Sequence, residues 1–169
     1  MKYTMSITSP LGDISISGND TAIEQVAFAS DNSLQALMPS LSHVHTNSEA
    51  IPAVLREAAQ QLRAYFAGQL TTFDLPLQPQ GTEFQERVWQ ALLRVGYGTT
   101  ASYGQIAQYM GDTKAVRAVG AANGANPIAI IIPCHRIVGS KGTLTGYAGG
   151  LWRKQWLLQH ESGIPRLFE

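Results

Sequence analysis

The only cysteine of the chain, Cys134, directly precedes His135 and Arg136 and follows the apolar run 128–132. A thiol acts as a nucleophile in its thiolate form, and a neighbouring imidazole or guanidinium lowers the pKa of a thiol. Pro133 ends a run that resembles a buried strand, and the sequence then turns polar. We therefore predict that Cys134 lies at the mouth of the structure as a reactive thiol. The simpler interpretation is a buried cysteine that packs as a small apolar residue.

Composition indicates an ordinary globular protein. The chain has 169 residues, of which 44% are hydrophobic and 14% charged, enough for one core or two small ones. A single cysteine excludes an intramolecular disulfide, so we expect a reducing cytoplasm as its location. The N-terminus lacks the apolar region of a signal peptide, and no apolar run approaches the roughly 18 residues of a membrane span. We predict no association with a membrane.

The net charge of zero conceals an asymmetry between the two halves. Residues 1–81 carry three Lys and Arg against seven Asp and Glu, whereas residues 82–169 carry nine against five. The basic half contains Cys134, which favours a polyanionic partner for that half. The excess is small, and an ordinary solvated surface explains it about as well.

The N-terminal half is predicted to form a β-meander followed by a helix. Apolar residues alternate around residues 3–7, 14–17 and 23–28, with turns between them. Residues 39–51 lack a pattern and are interpreted as a loop, and a helical repeat runs from Pro52 to Gly68. Residues 78–81, Gln-Pro-Gln-Gly, are the best linker candidate. We therefore predict domains at 1–78 and 82–169.

The C-terminal half is predicted to be mainly helical. Thr82 with Gln85 and Ser102 with Gln105 have the spacing of capping boxes that open helices. A further helix is expected to start near Asp112 or Thr113, giving the proportions of a helix-turn-helix. The small residues of this helix would allow close approach to another surface, which is either DNA or a neighbouring helix. These small residues are Ala115, Ala118, Gly120, Ala121 and Ala122, and Arg117 lies among them.

Several motifs in the C-terminal half together resemble one known family. The segment 132–137, Ile-Pro-Cys-His-Arg-Ile, is preceded by 117–120 and 124–127 and followed by 146–150, Gly-Tyr-Ala-Gly-Gly. Their order and spacing resemble the signature of the O6-alkylguanine-DNA alkyltransferases, also called methylated-DNA protein-cysteine methyltransferases. The resemblance covers about residues 82–163 and is looser before the linker. It implies an α/β protein with an N-terminal ribonuclease H-like β-sheet plus helix domain and a C-terminal winged-helix-like helix-turn-helix domain.

The resemblance implies DNA repair by direct alkyl transfer. The family flips O6-alkylguanine out of duplex DNA, because the reacting atom is inaccessible within the stack, and moves the alkyl group to its own cysteine. By correspondence of motif, Cys134 is the acceptor, His135 the general base, Glu161 the carboxylate that orients His135, and Asn126 a brace for the active-site loop. O4-alkylthymine is considered as a second substrate. An alkylated Cys134 is a thioether that a thiolate displaces too slowly for turnover, so we predict a reaction that occurs once per molecule.

The same correspondence implies a base pocket. Tyr103 would bond the flipped base through its hydroxyl and help to rotate it, and Tyr147 would stack on it. The Ala148 N–H would donate to O6, and the carbonyls of Cys134 and Ile137 would accept from the guanine amine. Such donors matter because the guanine leaves with developing negative charge. Some members have Ser at the position of Ala148, a change that leaves a role of the backbone intact.

The resemblance also implies how DNA is held. Arg117 would fill the gap left by the extruded base, and the second helix would enter the minor groove through Ala115, Ala118 and Gly120. Val116 departs from the Ala that many members have. We expect a monomer with salt-sensitive affinity for double-stranded DNA and little sequence preference. No cofactor or metal is expected, because no nucleotide-binding fingerprint occurs and the N-terminal half lacks the cysteines that bind zinc in certain members.

The sequence is also compatible with three other functions. Alkyltransferase-like proteins bind alkylated DNA without catalysis, but they lack the acceptor cysteine, usually with Trp in its place. A cysteine hydrolase could use Cys134, His135 and Glu161, although it would need an acyl substrate and an oxyanion hole. A metal site at Cys134, His135 and His160 is the weakest, because adjacent residues rarely bind one ion.

Overall fold

The computed structural model describes residues 1–29 and 50–163, so the predicted loop at 39–51 lies outside this part of the chain except for its last two residues. The chain divides into two compact units. The first unit comprises the described residues of Met1–Pro79 together with Pro127–Ala129. The second unit comprises the described residues of Gln80–Asn126 and Ile130–Glu169.

The first unit is built on an antiparallel sheet of three strands in the order β1-β2-β3. The strands are β1 (Tyr3–Ile7), β2 (Ile14–Gly18) and β3 (Ile23–Phe28). Ile14 and Ile16 are fully buried, which follows from the side-chain alternation of a strand with one face toward the core. The predicted β-meander is confirmed.

Among the described residues of this unit, a single helix packs against the sheet. Helix α1 (Ala53–Phe66) follows Pro52, whose fixed φ suits the start of a helix, and it ends before Gly68 at a φ of +75°. Its apolar stripe is buried through Leu55, Ala58 and Leu62. The predicted helix is confirmed.

The second unit is mainly helical. Its elements are α2 (Glu83–Leu92), β4 (Ala101–Ser102), α3 (Tyr103–Tyr109), α4 (Val116–Gly124), a 3-10 helix (Cys134–Arg136), β5 (Ile137–Val138) and α5 (Leu151–Ser162). Strands β4 and β5 pair in parallel. Both predicted capping boxes are present, at Thr82–Gln85 and Ser102–Gln105. Across the described ranges, none of the helices has the length and apolar character needed to cross a membrane.

Helices α3 and α4 form the predicted pair, but α4 begins later than expected. The chain leaves α3 through Gly111 at a φ of +81°, a conformation that favours glycine. Asp112 then forms a turn, because its side chain accepts from the Lys114 N–H at 3.2 Å and its carbonyl accepts from the Ala115 N–H at 3.1 Å. Asp112 and Thr113 therefore precede the helix, and Ala115 is the residue before its first turn.

The apolar run before Cys134 is not a strand. Ile128 alone forms a bridge, to Val26, and Ile130 has a φ of 69°, which interrupts any extended chain. Such a conformation costs a β-branched residue about 1–3 kcal/mol and persists only where the surroundings impose it. Cys134 then begins a 3-10 helix. The predicted strand is wrong because its apolar residues are buried as a turning loop.

A stability test follows from the approach of Trp89 to Gly81. A Cβ on Gly81 would lie 2.7 Å from Cζ3 of Trp89, whose indole N–H is held by the Ala122 carbonyl at 2.9 Å. Because this buried ring cannot swing away, we expect Gly81→Ala to lower the free energy of unfolding by about 1–3 kcal/mol in urea denaturation.

Gly124→Ala is the matched control for this substitution. Gly124 is helical and has no atom within 4 Å of an added Cβ. Alanine there should be neutral or stabilise the protein by up to about 1 kcal/mol. Equal free energies of unfolding for the two variants would contradict the packing described for Gly81.

Candidate active site

Cys134 is enclosed by its own loop and by α4. Its residue is 6% exposed, and His135 and Arg136 are buried as well. The Cys134 carbonyl accepts a hydrogen bond from the Asn123 side-chain amide at 3.4 Å, and the Ile137 N–H donates to the same oxygen. The prediction that the thiol lies at the mouth of the structure is therefore wrong. The polar residues that suggested an exposed position are themselves part of the interior.

The Glu161 carboxylate links α5 to the 3-10 helix. Its Oε1 lies 2.7 Å from His135 Nε2, and Arg136 donates to both oxygens, through Nε to Oε2 at 2.9 Å and through Nη2 to Oε1 at 3.0 Å. Burial by itself would raise the pKa of Glu161, but the hydrogen bonds and charges of His135 and Arg136 outweigh it and lower this pKa to about 2. Glu161 is therefore ionised at neutral pH.

An ionised Glu161 fixes the tautomer of His135. A carboxylate can only accept, so the proton of the neutral imidazole lies on Nε2 and the lone pair on Nδ1. Burial lowers the pKa of His135 from its ordinary value, although the Glu161 hydrogen bond opposes this. Nδ1 is buried and has no hydrogen-bond partner within the described residues. The imidazole is thus a neutral base with an available lone pair.

The thiol is kept protonated by burial. Desolvation raises the pKa of Cys134, while a hydrogen bond from Asn126 and the charge of Lys154 act in the opposite direction. The Asn126 amide also donates to the Ile132 carbonyl at 2.8 Å, which places it against the active-site loop. The sequence predicted that the Arg136 guanidinium would lower the pKa of the thiol. In the structure, Arg136 instead binds Glu161 and the Val95 carbonyl. The cation that favours the thiolate is therefore Lys154.

The two tyrosines of the expected base pocket occupy different surroundings. The Tyr103 hydroxyl lies 2.5 Å from Thr145 Oγ1, in a partly buried hydrogen bond. Burial raises the pKa of Tyr147 well above its ordinary value, and the charge of Cys134 adds to this, so the Tyr147 phenol lies near the thiol. Ala148 is exposed. The Ile137 carbonyl accepts from Lys154 Nζ at 2.5 Å.

The residues expected to contact DNA lie on α4 or directly before it. Arg117 and Ala118 are exposed, whereas Ala115 and Gly120 are half-buried. Gly120 faces the Tyr103 ring, because an added Cβ would lie 3.8 Å from its Cδ1. The structure therefore gives α4 an outer face that includes Arg117 and Ala118 and an inner face on which Gly120 lies against Tyr103.

Sequence reasoning missed three contributors to the site, namely Arg136 as the partner of Glu161, Asn123 as a brace for the Cys134 carbonyl, and Lys154. One signal could have revealed the last. Lys154, Leu157 and Glu161 form the buried stripe of α5, and charged residues at two positions of an apolar stripe indicate a buried polar site.

No group of three His, Cys, Asp or Glu side chains arranged for a metal ion occurs in residues 1–29 and 50–163. His160, the third member of the metal alternative, stacks on Trp156 with ring centroids 4.9 Å apart.

Comparison with known proteins identifies the class to which this fold and site belong. The model of the 6-O-methylguanine DNA methyltransferase ribonuclease-like domain matches residues 1–79, and that of the 6-O-methylguanine DNA methyltransferase DNA binding domain matches residues 83–163. The chain therefore belongs to the 6-O-methylguanine DNA methyltransferase family. The predicted family and fold class are confirmed.

Individual relatives agree with this assignment. A methylated-DNA--protein-cysteine methyltransferase of Mycobacterium bovis is 46% identical over 161 residues, covering 95% of this chain and 93% of that protein. The protein of the same name from Methanosarcina acetivorans is also 46% identical, covering 94% and 97%. The crystal structure of Mycobacterium tuberculosis OGT in complex with DNA is similar, with a TM-score of 0.80, 42% identity and coverage of 95% and 93%.

The hydrogen bonds of Glu161 with His135 and Arg136, called here the Glu161 network, predict a pH dependence of stability. The pKa of Glu161 is about 2 in the folded state against 4.5 ordinarily, so the unfolded chain binds its proton first as the pH falls. Stability from this group is complete above about pH 4.5 and is lost as the pH falls toward 2. Glu161→Gln should make the free energy of unfolding less dependent on pH between 4.5 and 2. At pH 7 it should lower that free energy by about 3 kcal/mol, because Arg136 loses its buried counter-charge.

Urea denaturation at several pH values checks this prediction. Glu86→Gln, which removes an exposed carboxylate from α2, serves as the control and should change the free energy of unfolding by no more than about 0.5 kcal/mol. An E161Q variant as stable as wild type at pH 7, with an unchanged slope between pH 4.5 and 2, would contradict the network.

Proposed function

We propose that the chain repairs DNA by a single transfer of the alkyl group from O6-alkylguanine in duplex DNA to the Cys134 sulfur. The observation that carries this is the buried His135–Glu161 pair, which holds a neutral base on the residue that follows the chain's only cysteine. Membership of the 6-O-methylguanine DNA methyltransferase family and the names of the relatives support the same reaction. The presence of Cys134 argues against a binder without catalysis.

The first step is formation of the thiolate. Nδ1 of His135 takes the thiol proton, and Glu161 stabilises the imidazolium that forms while holding the ring in one orientation. Consecutive side chains in a 3-10 helix diverge by about 120°. Cys134 and His135 therefore point in different directions, and we infer that a water molecule carries the proton between them.

The second step moves the alkyl group. The sulfur lone pair attacks the alkyl carbon, a C–S bond forms, the C–O6 bond breaks, and its electron pair remains on guanine. The proton held by His135 then neutralises the guanine, so the transfer as a whole releases no acid. The Ala148 N–H and the Tyr103 hydroxyl stabilise the developing charge, Tyr147 stacks on the base, and the Ile137 carbonyl accepts from its amine.

The DNA-binding surface is α4. We propose that its outer face enters the minor groove, where small residues such as Ala118 permit close approach, and that Arg117 fills the space of the extruded base. The relative solved with DNA supports nucleic acid as the partner.

We further propose that the protein acts as a monomer in a reducing compartment that keeps the thiol free. Its two domains would comprise residues 1–78 and 82–169.

Intact-mass spectrometry tests the reaction. After incubation with duplex DNA containing O6-methylguanine, the protein should gain the mass of one methylene unit, the net change when methyl replaces hydrogen, in a saturable reaction. Peptide mapping should place the methyl group on Cys134. Cys134→Ser is the matched control, because it keeps the size and removes the thiol. An unchanged mass in wild type that still binds the lesion would favour the binder without catalysis.

A comparison of duplex and single-stranded substrates separates the proposed role of Arg117 in base extrusion from the methyl-transfer step. Arg117→Ala should slow transfer from duplex O6-methylguanine by about 10–100-fold, since stabilising an unstacked base is worth a few kcal/mol. It should have a much smaller effect on a single strand, where no partner base closes the gap. Rapid-quench measurement of methyl transfer on both substrates checks this.

Arg87→Ala, an exposed arginine on α2, is the control for general loss of charge and should affect both substrates equally and weakly. An equal loss of rate for Arg117→Ala on duplex and single-stranded DNA would contradict the role in base extrusion.

A further inference from the structure

Lys154 is a fully enclosed cation on the inner face of α5. Its residue is 0% exposed, and it shares this face with Leu157 and Glu161. Enclosing an ammonium is costly unless hydrogen bonds satisfy it and an opposite charge compensates it. Its surroundings show how far each condition is met.

The hydrogen bonds of Lys154 are satisfied by neutral acceptors. Nζ lies 2.5 Å from the Ile137 carbonyl oxygen, 3.3 Å from that of Thr145 and 3.5 Å from Thr145 Oγ1. Three acceptors match the three N–H bonds of an ammonium. None of them is negatively charged, so the positive charge is solvated by the protein without being neutralised.

The buried charges of the site do not balance without a further anion. Among the buried residues that the structure describes, Glu161 is paired with Arg136, which leaves the charge of Lys154 uncompensated. His135 remains neutral because burial lowers its pKa, and Tyr147 remains neutral because burial raises its own. The enclosed set therefore carries one excess positive charge.

Cys134 is the group that can supply the missing anion. The Ile137 N–H donates to the Cys134 carbonyl, and the Ile137 carbonyl accepts from Lys154, so one residue connects the two. Burial lowers the pKa of Lys154 and raises the pKa of Cys134, and the attraction between an ammonium and a thiolate at these positions opposes both shifts. Arg153, the next cation on α5, instead donates to the Gly149 carbonyl at 2.8 Å and lies over the Trp152 ring.

We propose that Lys154 is a positioning residue whose enclosed ammonium is the fixed counter-charge of the Cys134 thiolate. When the S–H bond breaks, the electron pair stays on sulfur and the proton passes to Nδ1 of His135. The thiolate then faces a cation already held in place by Ile137 and Thr145, so no solvent has to reorganise as the charge appears. This inference deepens the proposed alkyl transfer and rests on it for its consequence in catalysis.

An NMR titration without DNA tests the counter-charge itself. Because Cys134 is the sole cysteine, protein labelled with carbon-13 at cysteine Cβ gives one resonance whose shift reports the thiol pKa. Lys154→Met keeps the length of the side chain, and Lys154→Gln keeps an N–H donor for the Ile137 carbonyl. Both remove the charge, so both should raise the thiol pKa by about one unit.

Lys141→Met is the matched control, because it removes a lysine charge from an exposed position of the same unit. It should leave the thiol pKa unchanged. In methyl transfer from O6-methylguanine DNA at pH 7, both Lys154 variants should react about tenfold more slowly and recover as the pH rises, since the rate follows the thiolate fraction. A purely structural role would lower the rate equally at every pH.

An unchanged thiol pKa in the Lys154→Gln variant overturns the proposal, and so does a rate deficit that does not diminish at high pH. If Lys154→Met fails to fold, Lys154→Gln decides the question, because it retains a donor for the carbonyl. Failure of wild type to accept a methyl group would overturn the proposed function alone, since the titration contains no DNA.

Discussion

The buried carboxylate of Glu161 is the interaction on which the rest of the site depends. It accepts from His135 and Arg136 at once, and these neighbours on the 3-10 helix are thereby tied to α5. Removing a carboxylate from water is expensive, so the arrangement exists only because both partners are supplied with good geometry. One interaction therefore sets the ionisation of Glu161, the tautomer of His135 and the packing of the loop that contains Cys134.

The site separates the resting state of the thiol from its reactive state. Burial keeps Cys134 protonated, which protects a single-use acceptor from unproductive chemistry. Groups that favour the thiolate are nevertheless present. His135 has an available lone pair, Asn126 donates a hydrogen bond to the thiol, and Lys154 supplies a positive charge. In the proposed reaction, thiolate formation depends on this enclosed and preorganised polar environment, in which electrostatic interactions are stronger than in water.

Local patterns made much of the fold predictable. Strand alternation, the start of a helix at Pro52 and the capping boxes at Thr82 and Ser102 depend on neighbours in sequence, and the motif around Cys134 identified the family. Tertiary context determined the rest. The positive φ of Ile130 and the burial of charged side chains depend on contacts that no local pattern records, so a loop was predicted as a strand and an enclosed site as an exposed one.

The number of lesions that one molecule repairs distinguishes an irreversible transfer to Cys134 from turnover. Protein would be titrated against excess duplex DNA containing O6-methylguanine, and the loss of the lesion followed to completion. We expect a plateau at one lesion for each molecule with a free thiol, because methylated Cys134 cannot be regenerated within the site. Continued loss of lesion beyond this ratio would contradict an irreversible transfer to the only cysteine of the chain.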